Sequence, residues 1–499
     1  MLPNNVDILD CIASLGKDEV FTPPKLANEM LDLLPEEIWS NKEIKILDPF
    51  TKTGVFLREA AKRFDKGLKD VIKDDDKRRD YIFKNMLYGV AITELTSLLS
   101  RRTLYYTKDP SNNYSVYKFN NDEGNIQYNE TKHEFNKNSC IICGATKERF
   151  DTEERRESYA YQFIHQDMDF DMKFDVIIGN PPYHIKDGSG NEGNAYKQIY
   201  NLFVEQSMKL KPRYLCMITP SRWFVTGKGL DKFRKNMLSS RNFKTLVHHQ
   251  NSSDVFESQS IMGGVSYFLW DIQYEGKCEI ISKDKNETIS TSKRYFDDFG
   301  DYLIIDEKKV SVIKKVKKIE SEFLNETVGS RNPFGINSGL IFSSGKISKG
   351  LKVYTKQQET GWVEKKHVTK NHEWVDKYKL IIGKAYGDVG GLGPYKVINN
   401  PIIIEKGSVC SESKLVIGVF DTKAEAVFMA EYLCTKFARF MLLTLKVSQN
   451  MTKSTFSHVP NQIYGKKLLT DEILYKKYGL TADEVEYIES NILELDYIL

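Results

Sequence analysis

The run Phe174-Asp175-Val176-Ile177-Ile178-Gly179, ending in Asn180-Pro181-Pro182-Tyr183, constrains this chain more than any other segment. Its apolar, β-branched residues read as a buried strand. Two consecutive prolines forbid both a helix and a further ladder strand, so the chain must leave the sheet there. The outcome is a stiff loop at the carboxyl end of a strand, the edge at which open α/β sheets bind ligands. That loop offers the amide oxygen of Asn180, the carbonyl of Pro181 and the ring of Tyr183. The two oxygens can accept both N–H bonds of an amine on a planar ring. Tyr183 can stack on such a ring, as flipped bases are held.

Upstream, Glu43-Ile44-Lys45-Ile46-Leu47-Asp48-Pro49 reads as a strand, Phe50 to Gly54 as a tight turn, and Val55 to Phe64 as an amphipathic helix. Strand, glycine-bearing turn and helix form a nucleotide-binding unit with helix N–H groups facing the ligand. Gly54 permits close backbone approach.

These motifs, in this order, resemble the amino-methyltransferases that use S-adenosylmethionine, above all the gamma-class DNA adenine-N6 methyltransferases of restriction–modification systems. Asn180 to Tyr183 matches their catalytic motif. Asp48-Pro49-Phe50-Thr51-Lys52-Thr53-Gly54-Val55-Phe56 matches their cofactor loop Asp-Pro-x-x-Gly-x-Gly-x-Phe, except that Lys52 replaces the first glycine. Phe21-Thr22-Pro23-Pro24 looks like the family's lid over the methionine end of the cofactor. Tyr88 to Ile92 looks like the second strand, whose end usually bears an acid for the ribose hydroxyls. Ala91 stands there, and Glu94 either substitutes or is a solvated first-turn helix residue. Asp167 matches the position that holds the cofactor's adenine amino group.

The resemblance implies an α/β fold: a Rossmann-like S-adenosylmethionine-dependent methyltransferase domain followed by a mixed α+β target-recognition domain. It makes Asn180, Pro181, Pro182 and Tyr183 catalytic. It assigns Phe21, Thr22, Pro23, Asp48, Pro49, Phe50, Gly54, Glu94, Asp167 and Asn180 to the cofactor. The implied partner is double-stranded DNA, with room for a separate restriction endonuclease or helicase subunit. Direct methyl transfer calls for no metal. An RNA or protein-glutamine amino-methyltransferase shares the catalytic loop and stays open as an alternative. So does a non-catalytic DNA-binding specificity subunit, although the intact Asn180 to Tyr183 speaks against it.

A 499-residue chain with 40% apolar residues can bury at least two cores. Net charge is only +3, from 72 basic and 69 acidic residues, so nucleic-acid binding must rely on clustered charge. The chain lacks a long apolar run and a signal-like N-terminus, which leads us to expect a soluble, cytoplasmic protein with no membrane contact. Its seven cysteines are expected as free thiols. Cys140-Ile141-Ile142-Cys143-Gly144 is a zinc-knuckle half-site preceded by His133. A structural zinc needs four ligands. No second Cys-x-x-Cys exists, so a turn without metal is the expectation.

The catalytic domain is expected over residues 1–275, with a polar insertion at about 107–160 that is either DNA-facing or a surface excursion. Residues 184–194, glycine-bearing, read as a mobile loop or an ordinary linker. The target-recognition domain is expected over residues 276–499. Lys308 to Lys318 reads there as a basic amphipathic helix. Thr422 to Leu445 reads as one long helix carrying Lys436 and Arg439, and Lys446 to Ser454 as a basic segment able to reach phosphates or base edges. Asp471 to Ile498 reads as helical. Asp306-Glu307-Lys308 matches a nuclease fragment that chance supplies in so lysine-rich a chain.

Overall fold

The computed structural model describes residues 20–495 except 130, 132, 146, 148–161, 166–171, 187–195, 226, 228, 257–259, 338–339, 341, 357–359, 388–392, 448 and 463–467. Two compact units divide the chain, Met1–Leu303 and Ile304–Leu499. No helix among the described residues is long and apolar enough to cross a membrane.

The first unit contains β1 (Ile46–Thr51), β2 (Leu87–Ala91), β3 (Ile126–Gln127), β4 (Phe135–Asn136), β5 (Ser139–Cys140), β6 (Val176–Gly179) and β7 (His184–Lys186). It continues with β8 (Tyr196–Gln198), β9 (Tyr214–Pro220), β10 (Phe243–His249), β11 (Val265–Asp271), β12 (Cys278–Asp284) and β13 (Glu287–Arg294). Nine of these form one sheet in the order β13-β12-β10-β11-β9-β6-β1-β2-β3. From β3 to β9 all neighbours are parallel. β11 is inserted in reverse between β9 and β10. β12 runs parallel to β10, and β13 folds back on β12 through Lys285 and Asn286, both with positive φ as a two-residue hairpin loop requires.

Strands β1, β2, β6, β9 and β11 are buried along their whole length, which fits a parallel-rich sheet covered on both faces. Leu26 and Met30 of helix Pro24–Leu31 and Phe56, Leu57 and Phe64 of helix Val55–Gly67 share one core with Val176, Ile178, Cys216 and Ile218. Sheet order reverses at β1, which has β6 on one side and β2 on the other. The carboxyl ends of β1 and β6 therefore flank the crevice where such sheets take ligands.

Three boundaries differ from the sequence reading. β1 begins at Ile46 and runs to Thr51, carrying Pro49 through a register shift between Asp48 and Thr51. A proline is tolerated at such an irregularity because no ladder N–H is needed there. β3 lies inside the segment expected to interrupt the sheet, and pairs with β2 at its edge. β12 and β13 extend the sheet beyond residue 275.

The second unit holds two three-stranded sheets, one centred on Leu351–Tyr354 and one on Tyr378–Gly383. Val353, Ile381, Val409 and Val416 share its core. The basic helix Glu307–Ile319 is present, burying Val310, Val312, Ile313 and Val316 and capped by Asp306. Asp306 is thus a helix cap. The expected long helix is two, Lys423–Cys434 and Lys436–Leu443, because Thr435 leaves helical geometry and caps the second with its hydroxyl. Arg439 is fully buried and donates to the carbonyls of Cys434, Lys396 and Leu493. Lys446 is buried and donates to the Tyr386 carbonyl, so the expectation that it reaches phosphates is corrected: it braces the interior. Two helices, Asp471–Lys477 and Ala482–Asn491, occupy the C-terminal stretch.

Candidate active site

β6 delivers Gly179 and then Asn180 to the crevice, and the prolines stop the strand as expected. Gly179 has a steric reason. A Cβ there would lie 2.4 Å from Phe50 Cε2 and 2.8 Å from Asp48 Oδ1. β6 and β1 thus touch through a glycine.

Asn180 is 4% exposed. Its amide nitrogen donates to the Val20 carbonyl at 3.1 Å and to Thr22 Oγ1 at 3.2 Å. Its oxygen Oδ1 is buried with no partner among the described residues. The donor half is satisfied by the lid segment; the acceptor half is left open. A buried acceptor without a donor is costly to leave unmade. Pro181 is buried, and Pro182 half-buried. Tyr183 is 7% exposed, its hydroxyl is unpartnered among the described residues, and burial pushes its ionisation far above the ordinary tyrosine value.

Gly54 has φ 74 and caps helix Val55–Gly67 from the left-handed region, with no side chain bonded to the first helical N–H groups. A small pocket is lined by Thr22, Asp48, Phe50, Lys52, Thr53, Gly54, Val55, Phe56 and Asn180. Asp48, 3% exposed, accepts from the Phe50 N–H at 3.3 Å. Desolvation raises its pKa to about 7, outweighing the lowering by Phe50 N–H, Thr51 and Lys52. Phe50 meets Phe203 and Phe163 edge-on at 5.5 and 6.4 Å.

Sequence reasoning placed Thr22, Asp48, Phe50, Gly54 and Asn180 together, and the structure brings them to one pocket. Phe21 and Pro23 flank Thr22, both half-buried, and Pro49 is buried inside β1. Ala91 ends β2 in register with Thr51. Glu94 lies in the first turn of helix Glu94–Tyr105, exposed to solvent, and does not line the pocket. Asp167 lies outside the described residues. Lys52 had counted only as a departure from glycine. It is 8% exposed and donates from Nζ to the Val20 carbonyl at 2.9 Å, the same carbonyl that Asn180 holds. A cation in a glycine's place, followed by no compensating acid, was the available signal.

The expected loop after Tyr183 begins and ends as the hairpin β7–β8, with residues 187–195 outside the described set. The expectation of a turn without metal rested on finding only three nearby ligand-type residues, and the fold supplies a fourth. His165, in the short helix Gln162–His165, stands with His133, Cys140 and Cys143, and the four form a group that could hold a metal ion. Its distance in sequence hid it.

Fold and site together define an α/β protein with a small pocket beside the switch point of a parallel-rich sheet. Residues 85–256 match the Eco57I restriction-modification methylase family. A Mycoplasma pneumoniae protein described as an uncharacterized adenine-specific methylase is 39% identical over 325 residues, 58% of this chain and 76% of that protein. The type II restriction enzyme and methyltransferase RM.Eco57I of Escherichia coli is 27% identical over 207 residues, 36% of this chain and 20% of that protein. Among solved structures, a nuclease-deletion mutant of the Type ISP restriction-modification enzyme LlaGI aligns over 87% of this chain and 46% of its own, at 14% identity and TM-score 0.49. The chain belongs to the family of adenine-specific methylases.

Proposed function

We propose that this chain transfers a methyl group from S-adenosylmethionine to N6 of a flipped adenine in double-stranded DNA, as the modification component of a restriction–modification system. The observation that carries the reading is the buried, open acceptor Asn180 Oδ1 at the end of β6, held in place through its own amide nitrogen.

An adenine amine is a poor nucleophile because its lone pair delocalises into the ring. Asn180 Oδ1 and the Pro181 carbonyl accept its two protons, which favours tetrahedral nitrogen and stabilises positive charge as it develops. Tyr183 offers a neutral ring for the base to stack on, and extrusion from the duplex is what lets a base reach such a recess.

A Rossmann-like reading of the sheet puts the cofactor over the switch point between β1 and β6. Thr22 with Phe21 and Pro23 would close over it, and Asp48, Pro49, Phe50 and Gly54 would hold it. The fit rests on the N–H groups after Gly54 and on a buried carboxyl at Asp48. When bound, S-adenosylmethionine supplies a methyl group already electrophilic on a positively charged sulfur. Asp48, with a pKa near neutrality, would ionise more readily beside such a cation, so cofactor affinity should fall as pH drops below about 7. The uncharged demethylated product should show a flatter profile.

The second unit is proposed for target recognition. Its cavity of about 640 Å³ is bordered by Arg331, Lys356, Lys384 and Lys414, with Glu412 opposite Arg331 at 3.9 Å. The test is methyl transfer from labelled cofactor to duplex DNA, followed by digestion to nucleosides. Label in N6-methyl-2′-deoxyadenosine is expected; label confined to ribonucleosides or to protein overturns the reading.

A further inference from the structure

We propose that His133, Cys140, Cys143 and His165 bind one structural zinc ion, which fastens the polar insertion to the elements on both sides of the catalytic loop. The four ligand-type atoms all lie within 4.8 Å of one another. Cys143 Sγ is 3.4 Å from His133 Nδ1, and Cys140 Sγ is 4.0 Å from His165 Nε2. Tetrahedral zinc, with bonds of about 2.3 Å to sulfur and about 2.0–2.1 Å to nitrogen, sets ligand–ligand edges at roughly 3.3–3.8 Å. The cluster is within about an ångström of that shell. The His133 and His165 rings, 4.8 Å apart and inclined by 72°, approach from different directions, as a tetrahedron requires.

The backbone is built as a knuckle. β4 and β5 form a hairpin that turns at Lys137, with φ 57, and ends on Cys140. Gly144, with φ 81, bends the chain after Cys143. The Gly144 N–H donates to the Cys140 carbonyl at 2.9 Å, and the Ala145 N–H to Cys143 Sγ at 3.5 Å. Cys140 and Cys143 are 2% and 0% exposed, and two thiolates neutralise a divalent cation, so the buried site carries no net charge. Each thiol would release its proton to solvent on binding. Hairpin strands of two residues cannot sustain themselves in water, so a metal would supply the missing stability.

The ligands come from both sides of residues 148–161 in sequence. His165 shares its short helix with Phe163, which packs on Phe50 of the pocket. Gly144 lies under Lys197 of β8: a Cβ at Gly144 would be 2.9 Å from Lys197 Cδ. One ion would therefore tie the insertion to the pocket wall and to the hairpin after Tyr183. This zinc takes no part in methyl transfer, and the inference stands whatever the substrate proves to be.

The test is metal analysis of the full-length chain grown with zinc and desalted. About one zinc per chain is expected, with tetrahedral d–d bands and thiolate charge transfer after exchange into cobalt. Cys140→Ser with Cys143→Ser should lose more than about nine-tenths of the metal, whereas Cys278→Ala should keep it. Since the double variant can fail to fold, His165→Cys is the second arm. It should keep about one zinc and intensify the charge-transfer band by adding a thiolate. Folded wild-type chain without bound zinc, a Cys140–Cys143 disulfide in reduced preparations, or zinc retained in the folded double variant would overturn the site.

Discussion

Asn180 combines a satisfied amide nitrogen with an open amide oxygen, and its predicted role follows from that asymmetry. Asn180→Ala should lower the methyl-transfer rate at least about 10²-fold while leaving cofactor affinity nearly unchanged, the pattern of a lost transition-state contact. Single-turnover rates paired with calorimetric binding check both halves; a residual rate above about a tenth of wild type contradicts the role. Asp48 gives a prediction about pH. Its folded pKa, about 7, exceeds the ordinary value of 3.8. Below about pH 4 the carboxyl is protonated in both states and costs nothing. As pH rises toward 7 the unfolded chain releases the proton first, so the ligand-free native state loses stability through that window. Asp48→Asn should relieve this, with a stabilisation that grows from pH 4 to pH 7 up to roughly 4 kcal/mol, at about 1.4 kcal/mol per unit. Denaturant melts at both pH values measure it, and a pH-independent difference would show that Asp48 ionises normally. Asn180, Asp48 and Gly54 were legible because their chemistry is tied to short spacings. Lys52 was not, because what gives it a role is the carbonyl of Val20, remote in sequence.

At the scale of elements, the meeting of β1 and β6 depends on one missing side chain. Gly179→Ala forces a Cβ within 2.4 Å of the Phe50 ring, so it should destabilise the first unit by about 1–3 kcal/mol and displace Asp48. An unchanged unfolding midpoint would mean that Phe50 swings away freely. β6 was legible as an apolar run and β1 as the start of a strand–turn–helix unit, while β2 was marked only by the resemblance. The break at Thr435 was hidden, because Thr is an ordinary helix-surface residue as well as an N-cap and only the chain's path distinguishes the two. Lys446 misled for a related reason: a basic residue in a polar stretch reads as solvated until the Tyr386 carbonyl beside it is known. His165 lacked a local signal altogether, since metal-type residues pair by fold and not by spacing.

The whole molecule divides at Leu303, which bears on how chemistry and recognition are shared. A boundary at 275 would cut away β12 and β13, leaving β10 with an open edge. The fragment 1–303 should therefore bind S-adenosylmethionine and lose sequence-selective DNA affinity. Within the intact chain, Arg331→Ala with Lys356→Ala should weaken DNA binding and reduce the slope of log affinity against log salt by about 2. A wild-type slope would remove that cavity from the interface. The hydrophobic patterning that marks strands and helices was legible on both sides of the division, but the irregular second unit carries no motif from which its base contacts could be read. The central claim, adenine methylation within a sequence context, is tested most directly by single-molecule sequencing of DNA from cells expressing this chain alone beside cells expressing Asn180→Ala. N6-methyladenine concentrated in one recurring context with the wild-type chain, and absent with the variant, is the predicted result; DNA free of modified adenine while the purified chain binds S-adenosylmethionine would contradict it.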